Sequence, residues 1–207
     1  VNATEITSLS YMYTEGTEKK IDSTEVKEVT STTTELAGGE EPVWYVVKAG
    51  TSITTGTADN KVRISVTGKV NLILEDGASW TANGGIGIED DGVFTVYGQK
   101  AGTGTLIAQN VKNGYAGIGT KEEEGSQGNT TIVLNGGHIK ATGSKNSAGI
   151  GNGRKDDPTK SEVIINGGRI EAVGGDTYFA SYDENCAGIG SMHITINGGT
   201  VTAIGGG

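Results

Sequence analysis

Apolar and polar residues alternate along most of this chain in short runs. Val70-Asn71-Leu72-Ile73-Leu74, Ile132-Val133-Leu134, Val163-Ile164-Ile165 and Ile194-Thr195-Ile196 all set apolar side chains two residues apart. That is the period of a β-strand and not of a helix. The runs also repeat. Ala116-Gly117-Ile118-Gly119 returns as Ala148-Gly149-Ile150-Gly151 and as Ala187-Gly188-Ile189-Gly190. Asn135-Gly136-Gly137 returns at Asn166 and Asn197, 31 residues further each time. Five segments align on these motifs: Leu72 to Ala82, Phe94 to Ala108, Ile132 to Ala141, Val163 to Ala172 and Ile194 to Ala203.

The alignment sorts side chains into columns. Leu74, Val96, Leu134, Ile165 and Ile196 form one. Trp80, Leu106, Ile139, Ile170 and Val201 form a second, and the alanines 82, 108, 141, 172 and 203 a third. Ile86, Ile118, Ile150 and Ile189 form a fourth. Short strands, β-branched residues and glycine corners recurring every 31 residues predict an all-β fold, a parallel β-solenoid of about five coils. One coil cannot bury its own inner face, and stacked coils bury each other's. The asparagines of the Asn-Gly-Gly corners are expected to stack into an amide ladder, and the paired glycines to permit positive φ at the bend.

Composition sharpens this picture. With 34% hydrophobic and 5% aromatic residues the chain is too lean for an ordinary globular core, but stacked coils make one from aliphatic columns. Glycine is abundant (36 residues) and proline scarce (2), without the every-third-residue glycine of collagen. The net charge of −9 and the lack of a basic stripe exclude nucleic acid as a partner. No run approaches the length of a membrane span, so no membrane insertion is expected. The single cysteine, Cys186, reads as a small buried residue.

The whole chain, 1–207, reads as one domain. Residues 1–45, rich in Thr and Glu, are expected to cap the solenoid, and residues 46–207 to form the coils. A start at Val1 suggests a removed signal peptide or an excised segment. The pattern at Val201 to Gly207 calls for another loop and strand, so the protein is expected to continue past Gly207.

The run Trp44-Tyr45-Val46-Val47, then Val70 to Leu74 with Asp76-Gly77, Val96-Tyr97-Gly98-Gln99 and Gly102 to Leu106, followed by the repeats, resembles a right-handed parallel β-helix module. Such modules belong to secreted or wall-attached proteins of gut bacteria, with a fold similar to pectate lyases and their carbohydrate-binding relatives. The resemblance implies an extracellular setting, other domains of a longer surface protein as partners, and little about activity.

Sugar-cleaving β-helices carry carboxylates on the outer face of a strand column. Here the outward positions before the corner are Ile73, Thr95, Val133, Ile164 and Thr195, with no stacked acid pair. After the corner, Lys140 and Glu171 fall in register and read as an exposed cross-strand ion pair. The aliphatic row Ile73, Val133 and Ile164 calls for a cover, by the N-terminal segment in preference to another chain. His138, His193 and Cys186 form no transition-metal set. Asp90-Asp91, Asp156-Asp157 and Asp183-Glu184 could donate to calcium, but solvated turn acids is the favoured reading, and no cofactor is assigned. Gly149 to Lys155 has phosphate-loop composition without a following helix, and is set aside.

Loop lengths point to a site. The corner after the Asn-Gly-Gly strand is long at Gly174 to Asn185, short at Gly143 to Ser147, and carries Asn113-Gly114-Tyr115 one coil before that. A long, short, long stack predicts a notch of about 10 Å, two strand spacings wide. Tyr115, Tyr178, Phe179 and Tyr182, with Asp183 and Glu184, are the candidate ligand-binding residues. Aromatic faces beside carboxylates suit a sugar ring, and the bland alternative is that the aromatics anchor the loop. The expected function is therefore a non-catalytic cell-surface module binding a polysaccharide or a host or cell-wall glycan. The alternatives are part of a polysaccharide lyase or hydrolase whose catalytic coils lie beyond Gly207, and a structural spacer.

Overall fold

The computed structural model describes residues 8–14, 16–109, 111–120, 129–153, 161–176 and 186–207. Three parallel sheets wrap around one core. The first sheet holds Glu35–Ala37, Ile64–Thr67, Ile86–Ile88, Ile118–Gly119, Ile150–Gly151 and Ile189–Gly190. The second holds Val26–Glu28, Val43–Val47, Lys69–Leu74, Val93–Gly98, Thr130–Leu134, Ser161–Ile165 and His193–Ile196. The third holds Ser52–Thr55, Ser79–Asn83, Thr105–Gln109, His138–Thr142, Arg169–Val173 and Thr200–Ile204. The chain visits the sheets in that order, turn after turn, which makes six coils among the described residues. The five segments aligned in the sequence are five of them. The sixth runs ahead of the expected boundary at residue 45, because Glu35–Ala37 already pairs in parallel with Ile64–Thr67.

Three predicted columns stand in the predicted register. Trp80, Leu106, Ile139, Ile170 and Val201 lie opposite one another, and Ile53 extends the row. The alanine and isoleucine columns also pair as read, with Thr55 and Ile64 added at their upstream ends. The column of Leu74, Val96, Leu134, Ile165 and Ile196 is corrected by two residues in one coil. Val96 lies opposite Leu72, and Leu74 lies opposite Gly98. The outward row moves with it: Asn71, not Ile73, precedes Thr95, Val133 and Ile164.

Close stacking explains the Ala-Gly-Ile-Gly motif. Its isoleucines 118 and 150 are fully buried, as is Ile86 above them in the column. At Gly151 the backbone has φ of 117° and a Cβ would sit 1.9 Å from the Gly190 carbonyl oxygen. Only glycine lets the next coil approach that closely.

The N-terminal segment does two separate jobs. Val26–Glu28 adds an edge strand to the second sheet, and Val29, 1% exposed, plugs the upstream end of the core. Ahead of it, strands β1 (Ser8–Thr14) and β2 (Thr17–Asp22) form an antiparallel hairpin. The hairpin lies against the flank of the solenoid, where Tyr11 packs with Val46, Ile73 and Tyr97 in a small second cluster. The expected self-covering is thus realised at Ile73, which is fully buried, while Val133 and Ile164 stay half-buried beyond the hairpin.

Candidate functional site

One outward column changes chemistry along the solenoid. Val46, Ile73 and Tyr97 lie in register on successive coils of the second sheet, and the hairpin covers all three. In the next coil Asn135 follows, its main-chain N–H donating to Val96 O at 2.8 Å. From there the column is a ladder: Asn166 Nδ2 donates to Asn135 Oδ1 at 2.7 Å, and Asn197 Nδ2 to Asn166 Oδ1 at 2.7 Å. Apolar side chains occupy the column where β1 and β2 exclude water, and carboxamides that satisfy one another occupy it where they do not.

Tyr97 joins the two regimes. Its ring meets Tyr11 edge-on at 4.8 Å and stacks on Trp44 at 5.4 Å, and its phenol is hydrogen-bonded to Asn135. Burial, with Tyr11 and Tyr13 close by, pushes that phenol up to about 12 against the opposing pull of Asn135. Gln99 fixes the hairpin from the other side, its Nε2 donating to Ser10 O at 3.1 Å and its Oε1 accepting from Asp76 N at 2.9 Å.

Where the hairpin ends, a groove of about 540 Å³ opens along the corner between the second and third sheets. Met12 and Gly16 of the hairpin form one wall, and Gln99, Lys100 and Gly102 another. The stacked corner glycines, such as Gly137 and Gly168, form a floor without side chains. The Gly137 and Gly168 N–H groups have no hydrogen-bond partner among the described residues, while Gly167 N donates to Leu134 O at 3.3 Å. Lys100 brings a cation, and no carboxylate lines the groove among the described residues. The floor can therefore offer donors to hydroxyl or carboxylate oxygens.

Of the residues picked from the sequence, Tyr115 is placed and half-buried, and its ring faces the Arg63 guanidinium at 5.0 Å. Tyr178, Phe179, Tyr182, Asp183 and Glu184 lie outside the described residues. The short corner between the two long ones stacks directly on its neighbours, Ser144 N donating to Tyr115 O at 3.1 Å and Asn146 N to Asp176 O at 3.1 Å. Glu171 draws three side chains together: the Arg169 guanidinium at 2.7 Å, the His138 imidazole at 3.0 Å and the Lys140 ammonium at 3.4 Å. The His138 hydrogen bond, with Lys140 and Arg169 behind it, holds the carboxyl below its usual range. Asp91 is a turn residue whose Oδ1 accepts from Asn129 N at 3.0 Å.

Two features escaped the sequence reading. The groove depends on where the hairpin stops, which no local pattern encodes. Arg63 reaches along the axis to donate to Ala116 O at 2.9 Å and Gly119 O at 2.8 Å, tying coils far apart in sequence. A glycine at position 87, where a Cβ would meet Arg63 Nε at 2.6 Å, makes room for it.

A family model described as a β-helix repeat matches residues 132–154, 163–191 and 194–207, about a third of the chain. These are the coils that carry the amide ladder. The fold is a parallel β-helix. No curated protein and no solved structure matches the chain. No helix among the described residues of this β-helix is long and apolar enough to cross a membrane.

Proposed function

We propose that this β-helix is a non-catalytic, cell-surface module that binds glycan, with the corner groove as the site. The groove carries the reading: a polar, cation-bearing channel of about 540 Å³ on a scaffold whose neighbouring coils hold its walls in place. A sugar presents many hydroxyls and little apolar surface, and a side-chain-free floor of main-chain groups can meet those hydroxyls closely. The partner is a polysaccharide or a host or cell-wall glycan, and the setting is extracellular, secreted or wall-attached. The Tyr115 corner is a second contact point for the same ligand class.

The test is a glycan array on residues 1–207, with and without calcium, beside three variants. Thr200→Trp fills the groove from an exposed position, Lys100→Glu reverses its charge, and Tyr115→Ala strips the other corner. Binding lost in the first two supports the groove. Binding lost only in Tyr115→Ala moves the site to that corner. Silence across neutral and acidic glycans refutes glycan binding and leaves a spacer.

A further inference from the structure

The repeats that build the corners also scatter a reactive dipeptide along the chain. Asn-Gly occurs at Asn83, Asn113, Asn135, Asn152, Asn166 and Asn197. An asparagine followed by glycine is the pair most prone to intramolecular imide formation, because no side chain shields the following nitrogen. We infer that Asn113-Gly114 is a self-modification site, and that the amide ladder protects the corner asparagines from the same reaction.

In that reaction the Gly114 nitrogen attacks Asn113 Cγ. The N–Cγ bond forms, the Cγ–Nδ2 bond breaks, and Nδ2 leaves as ammonia with the proton from the Gly114 N–H. Water then opens the five-membered imide at either carbonyl, giving aspartate or an isoaspartyl linkage. Water is the only co-reactant.

The structure ranks the six positions by what must break first. The Asn113 side chain is exposed and makes no hydrogen bond among the described residues. The Gly114 nitrogen is held only by a long 3.3 Å bond to Lys145 O. Asn166 is restrained by two ladder bonds of 2.7 Å, and Asn135 by Asn166 on one side and Tyr97 on the other. Asn197 has a single ladder bond. Asn83 donates to Gly56 O and accepts from Gln109 Nε2. At Asn152 the attacking nitrogen itself is tied up, Gly153 N donating to Thr120 Oγ1 at 2.8 Å. Conversion at Asn113 places a new carboxylate, or a kinked isoaspartyl turn, two residues before Tyr115 and the Arg63 guanidinium over its ring.

The experiment is peptide mapping by mass spectrometry after incubation at mildly alkaline pH, folded and in denaturant. In the folded chain Asn113 is expected to convert fastest and Asn197 next. Asn166 should lag Asn113 by about thirtyfold, the factor set by two hydrogen bonds that must open first. In denaturant the six rates should converge. Asn113→Gln should abolish the fastest event and leave the order of the others unchanged. Folded-state conversion of Asn135 or Asn166 as fast as Asn113, or a ranking that persists in denaturant, overturns the inference.

Discussion

Replacing Asn166 with alanine isolates the contribution of the amide ladder. Its carboxamide donates upstream to Asn135 and accepts downstream from Asn197, each at 2.7 Å. Removing it breaks two hydrogen bonds, each worth about 1 kcal/mol net. Because Asn166 is half-buried, its stranded partners regain some water, so the expected loss is about 2 kcal/mol. Asn197→Ala breaks only one bond, at an exposed position, and should cost no more than about 1 kcal/mol. Asn135 and Asn166 share a bond, so the double alanine variant should cost less than the sum of the singles by about 1 kcal/mol. Urea unfolding followed by circular dichroism reads all of this. With a slope of about 2–3 kcal/mol/M, the Asn166 midpoint should fall by just under about 1 M. Equal losses for Asn166→Ala and Asn197→Ala, or additivity in the double variant, would show that the carboxamides do not act as a connected ladder.

Gly151→Ala places a methyl 1.9 Å from the Gly190 oxygen at a φ of 117°, and should destabilise by more than about 3 kcal/mol. Gly77→Ala, at φ of 79° with open space around it, should cost only about 1–2 kcal/mol for its left-handed backbone; a thermal melt that fails to separate the two would remove coil stacking as the reason for the glycine. The Tyr97 phenol stays protonated to about 12 in the folded chain, against 10.0 for a free tyrosine. The unfolded chain therefore releases its proton first, and stability that is complete below pH 10.0 should fall between there and about 12. Unfolding midpoints across that window should show a shallower fall in Tyr97→Phe, and identical slopes would mean that the buried phenol is not the linked group.

The architecture was legible because each of the later coils carries its own fixed marks. Ala-Gly-Ile-Gly and Asn-Gly-Gly anchor the Ile118, Ile150 and Ile189 column and the Asn135, Asn166 and Asn197 ladder without ambiguity. The misplacement of Leu74 has a definite cause. A period of two is unchanged by a slip of two residues, so alternation alone keeps every side chain on its correct face while the pairing is wrong. The coil of Leu72 to Leu74 ends in Glu75-Asp76-Gly77 and not in Asn-Gly-Gly, so nothing local fixed its register. The groove was not legible, since it forms where the hairpin, far away in sequence, stops along the solenoid. Arg63 was hidden for a similar reason. Its meaning lies in the carbonyls of Ala116 and Gly119, more than 50 residues on.

The change from Val46, Ile73 and Tyr97 to three asparagines also bears on how such a chain can lengthen by gene duplication. A copied segment carrying Asn166 brings its own donor and acceptor, and slots between its neighbours without new partners. A copied segment carrying Ile73 would leave an isoleucine outside the reach of a hairpin of fixed length. A chain that grows by such copies therefore accommodates them in the downstream half, where the ladder continues, and not beneath the hairpin.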